Sequence, residues 1–304
     1  MNNIVNKIIE KHIDLFGNNP IINKINIGFT NTIYNINDKY IIKICSDINN
    51  EESFKKEIDF YNKNKDNEYI PSLYYSDITK EDIPYMYEIL EKIEGITLYH
   101  TWHLLSEDKR EDIIKQLCSF MKKMHTKKHE YYDWNKYNKN IFIDLYEKAK
   151  NKNIFTEEEM NTINKAYSLF DKYLESNEVV LVHNDLHFDN IFINEDKIKI
   201  IDFERSMYAP KDFELHIIYY MVRQPWKHAS EECEEYTNIN DYKNIMSYIE
   251  KYYPEITSIP YLYKRLAIYD LIYEMDHLVE FYPKYTEELK IEVLKHANTI
   301  IKGD

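Results

Sequence analysis

The chain has 304 residues, 44% of them hydrophobic, enough apolar material for two packed domains or one large one. Its four glycines, Gly17, Gly28, Gly95 and Gly303, cannot form a dinucleotide fingerprint, a Walker A loop or a nucleophile elbow, and its three scattered cysteines make no C-x-x-C pair or disulfide framework, which suits a reducing cytoplasm. Thirty-nine Lys and Arg against 53 Asp and Glu leave a formal charge of −14, a sign that repels nucleic acid and anionic membranes and attracts cations.

In chain order, MNNIVNKIIEKHIDLF sets apolar residues at helical spacing among charges and lacks the apolar core and cleavage site of a signal peptide. No apolar run elsewhere nears the roughly 18 residues of a membrane span. Residues 22–45 alternate short β-branched stretches with breaks at Gly28–Asn31 and Asn37–Asp38, which predicts three antiparallel strands. A helix is expected over 50–64 on the Phe54, Ile58, Tyr61 stripe, then strands near 73–77 and 85–91, with Gly95 closing this unit. From Ser106 the pattern turns helical: Ile113, Ile114, Leu117, Phe120, Met121 and Met124 mark one helix, and Thr156 with Glu159 forms a capping box opening another. After Pro210 helices continue to about residue 301.

Between the helices lies one β-rich patch, VVLVHNDLHFDNIFINEDKIKIIDFE. Its apolar runs bracket the polar octet His183–Asn190, which would sit on a loop between buried strands, where a rigid scaffold presents catalytic groups. Asp202 and Glu204 follow the next buried strand and would emerge beside that loop. Asp185, Asn190 and Asp202 supply a base and two hard oxygen ligands, the set that Mg²⁺-assisted phosphoryl transfer needs. A polar hairpin between core strands is the bland alternative. The four-residue spacing of His183 and His187 could suggest a metal hydrolase, but no H-E-x-x-H accompanies it. His125 and His129 have the same spacing in a Lys-rich helix end, where a solvated last turn is expected.

H-N-D-L-H-F-D-N followed by I-D-F-E resembles the H-x-D-x-x-x-x-N and D-x-D/E motifs of the aminoglycoside phosphotransferase and choline kinase superfamily, in its aminoglycoside phosphotransferase branch. The resemblance implies an α+β, bilobal protein-kinase-like fold: an N-terminal antiparallel sheet lobe over residues 1–94 that binds nucleotide, and a larger helical lobe over 95–304 for catalysis and substrate. It implies that Asp185 orients or deprotonates the substrate hydroxyl, that Asn190 and Asp202 hold Mg²⁺, and that His183 braces the loop. The family's usual loop glycines are Asn184 and Asp189 here, and Glu204 replaces the second aspartate of the metal motif. Upstream, Gly28, Thr30 and Asn31 fall where a phosphate-covering loop should lie. Lys43, flanked by isoleucines in IIKIC, suits a charge carried inward to the phosphates, against the alternative of an exposed edge lysine. Glu57, on the border of its helix's apolar stripe, is expected to pair with Lys43. The backbone of Glu91 and Ile93 occupies the interlobe hinge that would hold the purine of ATP or GTP.

Residues 183–304 hold 23 Asp and Glu against 14 Lys and Arg, so acidity concentrates where the fold would build its substrate site. Glu231, Glu234 and Glu235 in one cluster, and Glu274 on a later helix, are candidates to bind a small cationic, hydroxylated substrate, with an aminoglycoside antibiotic first and choline, a macrolide, homoserine or a sugar as alternatives. A solvated acidic face is the competing explanation. A catalytically silent nucleotide-binding module is opposed by the presence of Lys43, Asp185, Asn190 and Asp202. A protein substrate is opposed by the lack of D-F-G and A-P-E segments.

Overall fold

A computed structural model describes residues 1–25, 31–129, 133–175, 178–230 and 232–303. The chain separates into two compact units, one of Met1–Gln116, Asp185–Ser206 and Ala229–Tyr236, the other of Leu117–Asn184, Met207–His228 and Thr237–Asp304.

In the first unit, β1 (Ile22–Ile25), β2 (Asn31–Ile36), β3 (Tyr40–Cys45), β4 (Leu73–Asp77) and β5 (Tyr87–Glu91) form one antiparallel sheet in the order β1-β2-β3-β5-β4. Strand alternation divides their side chains between two faces. Ile42, Ile44, Tyr87 and Ile89 bury one face against Val5, Ile8 and Phe16 of the N-terminal segment. Lys43, Cys45 and Glu88 point to the other, where the Glu51–Lys63 helix lays Phe54 and Ile58 on Cys45 and Met86. The two-residue turn at Asn37–Asp38 has φ of 57° and 56°, the left-handed pair that a tight hairpin demands and that Asn and Asp tolerate.

Gly95 precedes β6 (Ile96–Thr97) with φ of 109°, and a Cβ there would meet the Ile193 carbonyl oxygen at 2.2 Å. Only glycine lets the backbone come so close. The polar patch folds as expected: β7 (Val180–Val182), the catalytic-type loop with a single turn at Phe188–Asn190, β8 (Ile191–Asn194) and β9 (Lys197–Ile200). Strands β6, β8 and β9 make a small sheet in the first unit.

In the second unit β7 pairs with β10 (Met207–Ala209), and the rest is helical. The Glu157–Tyr167 helix opens with the expected capping box, Glu159 N–H to Thr156 Oγ1 at 3.3 Å and Thr156 N–H to Glu159 Oε2 at 2.7 Å. The Leu262–Phe281 helix is buried on several sides, from Leu266 and Leu271 to the polar Arg265, Asp270 and Glu274. Arg265 forks onto Asp212 at 2.6 and 2.9 Å, which satisfies both buried charges. Among the described residues no helix is long and apolar enough to cross a membrane.

Candidate active site

The first unit gathers the charged residues of the site from four separate stretches of chain. Cross-strand register sets Lys43 opposite Ile33 on one side and Glu88 on the other, so its ammonium is carried under the sheet instead of out at an edge. There Lys43 Nζ meets Glu57 Oε2 at 2.5 Å, with Lys43 8% and Glu57 1% exposed. Asp202 Oδ1 stands 3.6 Å from the same ammonium. Burial opposes the charge on Lys43, but the carboxylates of Glu57, Asp202 and Glu88 outweigh it and raise its pKa. Burial pushes Glu57 up to about 7 against the pull of Lys43. Glu88 is fully buried, neither of its oxygens has a hydrogen-bond partner among the described residues, and burial with the Glu57 charge drives its pKa far up. One ammonium cannot neutralise three carboxylates in a dry pocket. Glu88 therefore carries a proton and Glu57 the charge that meets Lys43.

Lys43, Glu57 and Asp202 line a cavity of about 320 Å³ together with Ile33, Ile41, Leu90, Phe192 and Ile201, with Glu91 and Ile93 also on its lining. A mostly apolar cavity with a cation on its lining suits a flat base and phosphates. A wider groove of about 540 Å³ shares Glu91 and Ile93 but contains none of Lys43, Asp185, Asn190 and Asp202. The Glu91 N–H is bonded to the Ser72 carbonyl at 2.8 Å.

The Asn190 side-chain amide nitrogen donates to the Asp185 backbone carbonyl at 2.8 Å and lies 3.1 Å from His187 Nε2, so its side-chain oxygen is the end left for a cation. His187 Nδ1 accepts from the Asp189 N–H at 3.3 Å, and its Nε2 lies 3.8 Å from Asp185 Oδ2. The second histidine of the loop thus organises Asp185 and Asn190. The Ile201 N–H bonds the Asn190 backbone carbonyl at 3.0 Å, which fastens the Asp202 segment to this loop. Asp202 has φ of 67°, a left-handed conformation uncommon outside glycine and held here by its surroundings. Next to it Phe203 is buried and stacks on Phe60 at 3.9 Å, tying the Asp202 segment to the helix that carries Glu57.

The donor set fits a hard divalent cation such as Mg²⁺. Asp202 Oδ1 has no hydrogen-bond donor among the described residues, and one oxygen from each of Glu57, Asp202 and Glu204 lies within 4.8 Å of the others. Glu204 Oε2 also accepts from Asn31 at 3.5 Å and Asn50 at 3.4 Å, which turns this second acid toward Asp202.

In the second unit His183 is fully buried, and its N–H and that of Asn184 both donate to the Glu214 carboxylate, at 2.8 and 3.2 Å. Asn184 takes φ of 63°, the role a glycine would otherwise fill. Burial raises Glu214, but hydrogen bonding and charge from His125 and His183 more than offset it and hold the carboxyl below its ordinary value. His125, expected in a solvated turn, is instead buried: its Nδ1 meets Tyr253 Oη at 2.8 Å and its Nε2 is 3.5 Å from Glu214.

Gly28, Thr30 and Glu231 lie outside the described residues. Glu234 and Glu235 are exposed on the short turn Glu234–Tyr236 of the first unit. Glu274, expected on an open acidic wall, is fully buried in the second unit and receives the Tyr220 hydroxyl, with Lys227 3.8 Å away. Sequence reading missed Glu88, Phe203, Asn50 and Glu214. The alternation in YEILE puts Glu88 on the Lys43 face and could have found it. Nothing local marks Glu214 as the partner of the His183 backbone.

This arrangement of sheet, ion pair and loop defines a kinase-like phosphotransferase acting on hydroxyl groups. The chain matches the model of the phosphotransferase enzyme family over residues 21–241 and belongs to that family. Solved structures share its fold. The ADP-bound aminoglycoside phosphotransferase APH(2'')-Ib is 18% identical with a TM-score of 0.67, over 98% of this chain and 99% of that one. The GDP and kanamycin complex of APH(2")-IIIa is 14% identical with a TM-score of 0.69, over 98% and 99%. A thermostable mutant of APH(4)-Ia in ternary complex with AMP-PNP and hygromycin B is 16% identical with a TM-score of 0.65, over 98% and 100%. No curated protein matches the chain.

Proposed function

We propose that the protein is a small-molecule kinase that transfers the γ-phosphate of ATP or GTP to a hydroxyl of a cationic acceptor, with an aminoglycoside as the first candidate. The observation that carries this reading is the convergence of Lys43, Glu57 and Asp202 on the lining of the apolar cavity, together with the Asp185–Asn190 loop. The base lies in the slot, meeting the Glu91 carbonyl and Ile93 N–H, and the phosphates run toward Lys43. Residues 1–94 serve as the nucleotide lobe and 95–304 carry catalysis and substrate. Mg²⁺, held by Asn190 and Asp202, supplies charge neutralisation at the phosphates. Asp185 orients the acceptor hydroxyl. As its oxygen bonds to the γ-phosphorus, the bond to the β–γ bridging oxygen breaks, the nucleoside diphosphate leaves, and the hydroxyl proton passes to the Asp185 carboxylate. His187 and Asn190 hold the loop that presents it.

Support for a cationic acceptor comes from the acidity of residues 183–304, the exposed Glu234 and Glu235, and the aminoglycosides named in the complexes of similar fold. Three free buried cysteines suit the cytoplasm. The test is a coupled assay of nucleoside diphosphate release with ATP and GTP against kanamycin, a macrolide, choline and homoserine, with Asp185→Asn as control. Acceptor-dependent turnover that falls by about 10²- to 10⁴-fold in Asp185→Asn, with nucleotide binding kept, is expected. Nucleotide binding with no turnover on any acceptor would favour a silent nucleotide-binding module.

A further inference from the structure

The second unit contains a buried ionic cluster that phosphoryl transfer does not use. It is built from two i, i+4 pairs on neighbouring helices: Asp270 and Glu274 on Leu262–Phe281, and Glu292 and His296 on Thr286–Ile301. Each pair places its two side chains on one helix face. Glu274 is 0% and His296 2% exposed. Glu274 Oε1 receives the Tyr220 hydroxyl, while Glu274 Oε2 and His296 Nε2 have no hydrogen-bond partner among the described residues. Such buried polar atoms are costly unless something else completes them.

We propose that Glu274, Glu292 and His296 form a zinc site that clamps the Leu262–Phe281 helix to the Thr286–Ile301 helix. One ligand atom from each of the three lies within 4.8 Å of the other two, and His296 Nε2 is 3.7 Å from Glu292 Oε2. Ligands at zinc bond lengths stand about 3.4 Å apart in a tetrahedron, so small rotamer adjustments close the site. Two carboxylates and an imidazole suit zinc better than Mg²⁺ or Ca²⁺, which prefer oxygen alone.

The surrounding residues have the character of a supporting shell. Asp270 Oδ2 lies 3.6 Å from His296 Nδ1, just beyond hydrogen-bond reach and on the side of the ring away from Nε2. Gln224 donates to Glu292 Oε2 at 3.1 Å, and Tyr220 fixes the other oxygen of Glu274. Arg223 pairs with Asp270 and Lys295 with Glu292, and Lys227, 3.8 Å from Glu274, has Glu288 at 3.7 Å as a second partner when an ion arrives. A cavity of about 360 Å³ lined by Glu274, Lys227 and Glu288 adjoins the Glu274 side of the site. These contacts reassign Glu274 from a substrate wall to a structural site.

The full chain, stripped with chelator, is titrated with Zn²⁺ by calorimetry and followed by thermal unfolding, with Co²⁺ as a spectroscopic probe. One ion per chain beyond the Mg²⁺ site is expected. At about a hundredfold excess over its Kd, zinc should raise Tm by on the order of 5 °C, and Co²⁺ should give the visible absorption of a four- or five-coordinate site. Asp202→Asn should keep the ion, while His296→Gln and Glu292→Gln should each lose it. If His296→Gln fails to fold by circular dichroism, the half-buried Glu292→Gln carries the test. Zinc that does not stabilise the wild-type chain overturns the proposal, and so does zinc bound equally well by the folded variants, which would be ions on surface carboxylates.

Discussion

Lys43 and Glu57, fourteen residues apart, meet at 2.5 Å beneath the sheet because β3 turns the lysine inward and the Glu51–Lys63 helix packs the glutamate onto the same face. The pair lines the cavity of about 320 Å³, so its protonation sets whether a fixed ammonium faces that cavity.

Glu57 is raised by burial to about 7. Above that value it is ionised and holds Lys43. As pH falls through it, Glu57 takes up a proton and Lys43 loses its anchor. Nucleotide KM should therefore rise as pH drops from about 8 to about 6, and Glu57→Gln should show a high KM across the range. Nucleotide KM measured against pH in both proteins tests this. A wild-type acid limb retained in Glu57→Gln would assign the titration to another group.

Glu88 gives a stability signature of the opposite kind. Its folded pKa stands well above its unfolded value near 4.3, so the native state keeps a proton that the unfolded chain releases. Above that unfolded value, wild-type stability should decline with pH by up to about 1.4 kcal/mol per unit. Glu88→Gln, neutral at every pH, lacks this slope. Urea unfolding of both proteins at about pH 5.5 and pH 8 should show the variant gaining on wild type as pH rises. A constant gap would mean that Glu88 is already ionised.

The elements were legible in the sequence where periodicity and turn chemistry agreed: the strands through Cys45, the Phe54–Tyr61 stripe, the Thr156 capping box and the loop between β7 and β8. The pairing of Lys43 with Glu57 was legible because the lysine stood between isoleucines and the glutamate bordered an apolar stripe. Burial of long-range polar partners was not. His125 reads as a solvated helix end until Tyr253 and Glu214 arrive from far along the chain, and Glu274 reads as one more surface acid until Tyr220 and Lys227 close over it. Local pattern records which face of a helix is polar, not whether another helix supplies its partners.

The two acids of the metal motif should differ in effect. Asp202 follows the buried β9 directly, its Oδ1 is without a hydrogen-bond donor among the described residues, and it also approaches Lys43. Glu204 is already shared between the amides of Asn31 and Asn50. Asp202→Ala should abolish Mg²⁺-dependent nucleotide binding, and Glu204→Ala should only weaken it. Calorimetric titration of nucleotide with and without Mg²⁺ would show this, and equal losses would make Glu204 a full ligand.

Acceptor charge can be tested at the exposed turn. Glu234 and Glu235 are consecutive residues on Glu234–Tyr236, whose three-residue period points them about 120° apart, so one should dominate. An exposed carboxylate attracts a cationic acceptor alike in the ground and transition states. Its neutralisation should raise acceptor KM by about two- to fivefold and leave kcat unchanged. Nucleotide KM should stay fixed, because the cavity proposed for the nucleotide includes neither residue. Raising ionic strength to about 0.15 M, where screening acts over about 8 Å, should weaken the acceptor in wild type and have less effect in the dominant variant. Glu234→Gln and Glu235→Gln assayed with a cationic and a neutral acceptor complete the comparison. If both variants match wild type on the cationic acceptor at low salt, these acids are only a solvated face, and the acceptor's charge must be recognised by other residues.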